Sequence, residues 1–344
     1  VGSGARVVRF LYSQSCVYMF VSDDRGRAPE RDVSALGTDV VKAHFEHLGR
    51  EMHPDMSLDA WRDVVERYGD VTAEPGGVDY DEVELRGLAA MWATPKQAHD
   101  RGVILCFHGG GFATCSMYTH RKLFGHLAKA TGFRALILDY RRSPEHRHPA
   151  QVEDAVSAYA WVLEQGYAPE WTTLAGDSAG GGLCVTAMLR ARERGLPLPA
   201  AAMLLSPWVD MERTSASLEY NRERDVLLGD PEIGQTLIGM LLGESGDPRD
   251  PSVNPLYADL AGLSPLYVQA GSDEAIVDDA RRLAQRARDA GVDTRLDVFD
   301  GQQHTFQLGA GRSPTADEAL GRLASWALAK VGSPPLAEVE DGAP

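Results

Sequence analysis

Cysteine is scarce: the 344 residues include four, Cys16, Cys106, Cys115 and Cys184, and none stand at a paired metal-binding spacing. Cys106 and Cys115 fall in apolar or glycine-rich runs that should be internal, so the count argues against a disulfide framework and fits a reducing, cytoplasmic location. Cys115 reads as a buried, inert thiol near the mouth of a pocket. Positive charge is also short. Lys and Arg number 34 against 50 Asp and Glu, a net charge of −16, which disfavours nucleic acid or an anionic membrane surface as a partner. Long hydrophobic runs are missing too. Residues 7–21 are mostly apolar, but Arg9, Ser13, Gln14 and Ser15 interrupt them, and the stretch is too short and too polar to span a bilayer. No small-x-small cleavage site follows before Ser22. No stable membrane insertion is expected, residues 1–30 read as a poorly ordered or misassigned extension, and residues 333–344 as a disordered tail. The histidines lack metal partners: His44 and His47, three apart, and His146 and His148, two apart, have no complementary donor set. No metal and no organic cofactor is expected.

The chain does have enough apolar residues, 44% of the total, to bury a large core, and its length suits one α/β domain of roughly 250 residues plus an accessory segment. The most informative stretch is Gly176-Asp177-Ser178-Ala179-Gly180-Gly181, which follows the short apolar strand candidate 172–175 and opens a helix candidate running to about Arg194. This is a G-x-S-x-G elbow. A serine hydroxyl is a poor nucleophile unless it is lifted clear of its backbone, beside a base and beside backbone donors. A sharp strand-to-helix turn meets those needs, because Gly176 and Gly180 let strand and helix approach closely and Ser178 sits at a helix N-terminus that favours negative charge.

Upstream, His108-Gly109-Gly110-Gly111-Phe112 follows the apolar run 103–107. Successive glycines after a buried strand expose backbone N–H groups, and the donors of Gly110 and Gly111, with that of Ala179, would complete an oxyanion hole. Downstream, residues 266–270 read as a strand ending in Gly271-Ser272-Asp273, and residues 296–299 as the next, ending in a loop that carries His304. An acid and a histidine just past strand carboxyl ends are where an open α/β sheet gathers its active site. The expected triad is Ser178, His304 and Asp273.

These motifs, with Asp139-Tyr140-Arg141, Ser143-Pro144-Glu145-His146, Pro149-Ala150, Asp273-Glu274, Asp278-Asp279 and Gly301-x-x-His304-x-Phe306, resemble the hormone-sensitive-lipase-like branch of the α/β-hydrolases, the bacterial family IV esterases. The resemblance covers roughly residues 78–331 and is nearest to the acetyl-hydrolase and monoterpene ε-lactone hydrolase group. Two departures stand out: Arg142-Ser143 and Arg147-His148 occupy positions that are usually apolar, and Glu274 stands where many members have proline. The assignment of Asp273 therefore rests on its strand-end position and on Asp278-Asp279 following at the expected distance.

The resemblance implies an α/β-hydrolase fold, with a mostly parallel sheet flanked by helices over residues 76–332. It also implies a helical cap made from residues 31–75 and from an insertion after the sixth strand, about 207–260. The helical spacing within 33–68, broken at Pro54 and restarted by a Ser57 cap, fits the first part. Trp208, Leu241, Leu242 and Tyr257 are candidates to line an acyl or alcohol pocket. Asp139 and Glu145 are expected to brace their loop. The activity implied is hydrolysis of small to medium, short-acyl esters through an acyl-enzyme. A lactone or N-acetyl amide would use the same machinery, and a catalytically silent small-molecule-binding protein is the reading from another class. The partner expected is a small-molecule ester or lactone, with a homodimer left open.

Overall fold

The structure, a computed structural model, describes residues 33–53 and 56–332, with residues 33–39 as backbone only. The expectations for residues 1–30 and 333–344 lie outside the described residues. Eight strands form one sheet in the order β1-β2-β4-β3-β5-β6-β7-β8. The first two, β1 (Val78–Leu85) and β2 (Leu88–Pro95), form an antiparallel hairpin in which Leu85 faces Leu88. Its two turn residues, Arg86 and Gly87, have φ of 52° and 81°, the left-handed pair that a two-residue hairpin turn needs to match strand twist. β2 also runs antiparallel to β4 (Arg134–Leu138), while β3 (Val103–Phe107), β5 (Thr172–Asp177), β6 (Ala201–Leu205), β7 (Leu266–Gly271) and β8 (Thr294–Phe299) complete a parallel array.

The central strands are buried along their whole length, β3 as Val-Ile-Leu-Cys-Phe and β6 as Ala-Ala-Met-Leu-Leu, because helices cover both faces. Beneath one face lie α4 (Ala150–Glu164), α5 (Ala179–Glu193) and α8 (Val277–Asp289), packed through Val152, Tyr159, Leu183, Met188, Ala280 and Leu283. Against the other lie α1 (Val33–Glu51), α3 (Met117–Thr131) and α9 (Pro314–Lys330), through Phe45, Leu123, Phe124, Leu320 and Leu323. Two helix starts over and beside the site are set by side-chain caps: Ser57 accepts from Ala60 N at 3.2 Å to open α2 (Leu58–Val65), and Ser116 and Thr119 form a capping box on α3.

Residues 206–265, between β6 and β7, carry α6 (Ser217–Tyr220), α7 (Pro231–Leu242) and a short 3₁₀ turn, Pro255–Tyr257. With α1 and α2 they reach over the carboxyl ends of the parallel strands, because side chains from both segments line the same cavity. Among the described residues no helix is long and apolar enough to cross a membrane.

Candidate active site

Ser178 joins β5 to α5 with φ 52° and ψ −121°, a conformation that L side chains avoid and that the surroundings must impose. They do so from three sides. Ser178 N–H donates to Leu205 O at 2.9 Å, and its carbonyl accepts from Trp208 N at 2.9 Å and Gly182 N at 3.2 Å. The two glycines of the elbow are forced by contact: a Cβ on Gly176 would lie 2.2 Å from Gly180 O, and one on Gly180 would lie 2.0 Å from Phe107 O.

His304 reaches this serine from the loop after β8, with Nε2 2.9 Å from Ser178 Oγ. Its other nitrogen, Nδ1, lies 3.0 Å from a carboxylate oxygen, and that oxygen belongs to Glu274. This corrects the expected acid. Asp273 lies in the turn after β7, where its backbone N–H donates to Gln302 O at 3.1 Å and its side chain stays 24% exposed, 3.9 Å from Arg224 and 3.3 Å from Ser272 Oγ. The turn aims position 273 outward and position 274 beneath the imidazole. Glu274 is wholly buried. Its second oxygen accepts from Ser206 Oγ at 2.6 Å and from Gly271 N, and Ser206 Oγ in turn accepts from Thr305 N at 3.1 Å. The carboxylate is thus fixed by three donors besides solvent-free packing, and the histidine loop is tied to the same hydroxyl. Residues of the 206–265 segment hold this turn in place: Asn221 Nδ2 donates to Ser272 O and Glu274 O at 2.7 and 2.8 Å, and Asp225 accepts from Ala275 N at 2.7 Å.

Electrostatics follow the same geometry. Burial pulls the His304 imidazole down, but the hydrogen bond and charge of Glu274, with smaller help from Asp225 and Asp177, outweigh it and leave its pKa above the usual histidine value. Burial pushes the Glu274 carboxyl up, while the His304, Ser206 and Gly271 donors pull against that.

The glycine loop brings its donors to the same place. Among the described residues, the N–H groups of Gly110, Gly111 and Ala179 have no acceptor in the protein, and Gly110 and Gly111 line the cavity that contains Ser178 and His304. Gly110 holds φ at 98°, and its carbonyl is occupied by Ala113 N at 3.1 Å and Thr114 N at 2.9 Å, so the loop is closed by its own turn with two amides left free. Asp177 anchors it from below, accepting from Gly109 N at 2.9 Å and pairing with His120 Nε2 at 3.1 Å. His108 stacks on Tyr140 with ring centroids 4.2 Å apart, and its Nδ1–H donates to Gly109 O at 2.7 Å. Arg62, on α2, spans the outer side, donating to Ala113 O at 2.8 Å, to Ser143 O at 3.0 Å and to both oxygens of Glu145 at 2.7 and 2.8 Å. That guanidinium holds the Glu145 carboxyl down at about 2. Asp139 accepts from Met117 N at 3.1 Å. Both acids therefore brace loops.

The cavity in front of Ser178 is walled by apolar side chains from both overlying segments, among them Trp61, Tyr68, Trp208, Leu228, Ile233 and Leu237, with Cys115 buried in its floor. Of the four side chains expected to line it, Trp208 does so. Leu241 is instead buried in the core and Leu242 packs against it, because the inner face of α7 is set by Ile233, Gly234 and Leu237. Tyr257 is 43% exposed and hydrogen-bonds Glu212. Among the described residues no group of three His, Cys, Asp or Glu side chains could hold a metal. His148 Nε2 pairs with Ser252 Oγ at 2.8 Å, and His44 Nε2 with the carbonyls of Arg67 and Tyr68 at 3.1 and 3.2 Å.

A serine at a strained strand-to-helix elbow, a histidine and an acid from the next strand ends, and a glycine loop with free amides define an α/β-hydrolase, and the model of an α/β-hydrolase-fold family matches residues 104–308, more than half of the chain. An acetyl-hydrolase of Streptomyces hygroscopicus is 41% identical over 271 residues, covering 79% of this chain and 88% of the relative. An esterase of Acinetobacter venetianus is 35% identical over 231 residues, covering 67% and 76%. The crystal structure of an esterase from the bacterial hormone-sensitive lipase family superposes with a TM-score of 0.81 at 39% identity, covering 85% of this chain and 98% of that one. The chain belongs to the hormone-sensitive-lipase-like family of α/β-hydrolase esterases.

Proposed function

We propose that the protein is a serine carboxylesterase for small to medium, short-acyl esters, with Ser178 as nucleophile, His304 as general base and then acid, and Glu274 as the acid that orients and stabilises the imidazole. The observation that carries this is the unbroken line Ser178 Oγ, His304, Glu274, at 2.9 and 3.0 Å, opening onto a cavity that also presents the free amides of Gly110 and Gly111. Ser178 Oγ attacks the ester carbonyl while His304 Nε2 takes its proton. Glu274 accepts from Nδ1–H, selects the tautomer with Nε2 unprotonated, and stabilises the imidazolium that forms. The tetrahedral oxyanion is held by Gly110, Gly111 and Ala179 N–H groups, each donor being worth on the order of 3 kcal/mol in the transition state. Nε2–H then protonates the leaving alcohol, and water, activated by the same nitrogen, releases the acid and regenerates Ser178.

The α1–α2 region and the 206–265 segment act as a two-part cap. Leu48, Met52 and Val65 from the first and Leu227, Ile233 and Leu237 from the second meet over the serine, which suits a compact acyl group better than a long chain. Three described cysteines, Cys106, Cys115 and Cys184, are buried free thiols, as suits a reducing compartment. The test is hydrolysis of p-nitrophenyl esters from acetate to palmitate by the wild type and Ser178→Ala. Turnover of short esters by the wild type alone supports the reading, and a lactone and N-acetyl amide panel then defines the substrate. Equal inactivity of both proteins would move the function to small-molecule binding.

A further inference from the structure

One cationic side chain stands in the apolar cavity. Arg213 lines it together with Ser178, Trp208, Ile233 and Gly234, and among the described residues its guanidinium has no hydrogen bond and no ion pair, whereas Arg62, Arg141, Arg249, Arg281, Arg282 and Arg322 are all paired. The carboxylates near enough to act on it are engaged elsewhere. Asp210 is held by Arg282 at 2.6 Å and by Thr214 N at 2.8 Å. Asp279 accepts from Val209 N, Asp210 N and Ser215 Oγ at 3.0, 2.9 and 2.8 Å. Asp230 caps α7 through Glu232 N at 2.9 Å.

The side chain is also seated. Arg213 has φ of 57°, an uncommon conformation for arginine, in a turn closed by the Asp210 carboxylate on both Glu212 N and Thr214 N. Its guanidinium lies in a notch on α7 that exists because position 234 is glycine: a Cβ there would stand 1.5 Å from Arg213 Nη1. A planar, five-donor cation fixed against a helix backbone and unsatisfied by the protein is suited to a carboxylate, which it can meet through two parallel hydrogen bonds. The apolar wall around it strengthens such a contact relative to water.

We propose that Arg213 is a specificity residue that receives a carboxylate carried by the substrate, so that the cavity takes half-esters of dicarboxylic acids or comparable acidic esters as well as neutral ones. This deepens the esterase reading and rests on it for the chemistry at Ser178. The partner carboxylate occupies the Arg213 end of the cavity while the scissile carbonyl lies at Ser178.

The test compares mono-(4-nitrophenyl) adipate with 4-nitrophenyl hexanoate, esters of equal chain length that differ by a terminal carboxylate, and reads the ratio of their kcat/KM values. A charge-assisted hydrogen bond predicts a ratio about 10- to 100-fold lower in Arg213→Met than in the wild type, with Arg213→Lys between the two because it keeps the charge but loses the paired hydrogen bonds. An unchanged ratio in Arg213→Met overturns the proposal. A second arm does not depend on turnover: calorimetric binding of monomethyl adipate to Ser178→Ala and to Ser178→Ala with Arg213→Met. Binding lost with the arginine supports the site even if neither ester is hydrolysed, in which case the esterase reading alone fails. Equal binding by the two proteins removes the site.

Discussion

Replacing Glu274 by Gln should abolish most activity, whereas the neighbouring Asp273→Asn should leave it nearly intact. Glutamine fits the Glu274 site in volume and can keep its oxygen on Ser206 Oγ and Gly271 N, bonds the wild-type carboxylate makes. It then turns an amide N–H toward His304 Nδ1, the atom that sits 3.0 Å from the wild-type carboxylate. That donor favours the tautomer with the proton on Nε2, which cannot accept from Ser178, and it removes the charge that stabilises the imidazolium. In a serine protease the equivalent change lowers kcat by about 10⁴, so a fall of roughly 10³ to 10⁴ is expected here, or about 4 to 5.5 kcal/mol of transition-state stabilisation at 1.36 kcal/mol per decade. Asp273 touches neither the imidazole nor the serine and is 24% exposed, so its substitution should fall in the surface range of about ±0.5 kcal/mol, roughly 2-fold. The assay is kcat for p-nitrophenyl butyrate, with a thermal melt to show that each variant is folded. Loss of activity in Asp273→Asn equal to that in Glu274→Gln, with both proteins folded, would refute the assignment of the acid.

Further outcomes follow from the same geometry. The imidazole must be neutral to accept the serine proton, and Glu274 raises its pKa above the ordinary value of 6.5 despite burial. The acidic limb of kcat/KM should therefore lie above pH 6.5. Any residual activity of Glu274→Gln should have that limb at lower pH, because burial is then opposed by only the smaller contributions of Asp225 and Asp177, and an unmoved limb would contradict the coupling. Gly176→Ala places a Cβ 2.2 Å from Gly180 O, and should lower stability by roughly 3 kcal/mol or more, read from urea unfolding, since backbone cannot yield there. Arg62→Ala removes four hydrogen bonds that tie α2 to Ala113, Ser143 and Glu145. With two carbonyls losing a charged donor, roughly 2 kcal/mol of stability should go, and kcat for short esters should fall as the glycine loop loosens; an unchanged kcat would mean that the loop's own turn and Asp177 hold it without Arg62.

Much of this molecule could be read from its residues because the chemistry needs particular residues at strand ends. The elbow, the glycine loop and His304 each lie in a motif whose glycines are dictated by contact or by φ. The central strands β3 and β6 are continuous apolar runs, as a sheet covered on both faces requires. The acid was less legible for a physical reason. Both Asp273 and Glu274 follow the β7 strand end, and the choice depends on which way a three-residue turn points its side chains; Ser206, 68 positions upstream of Glu274, helps decide it, and no local pattern announces that partner. The pocket wall was obscure in the same way. Leu241 and Leu242 are as apolar as Ile233 and Leu237, and only the rotation of α7 separates lining from packing. Arg213 carried no motif at all, and its isolation becomes visible once every nearby carboxylate has been placed.

The claim on which the rest depends is that Ser178 becomes covalently acylated. Intact and peptide mass spectrometry after a brief, acid-quenched reaction with p-nitrophenyl butyrate reads this directly. A single butyryl adduct is expected on the peptide carrying Ser178, absent in Ser178→Ala. Hydrolysis that proceeds with no adduct on Ser178, or that persists in Ser178→Ala, would contradict it.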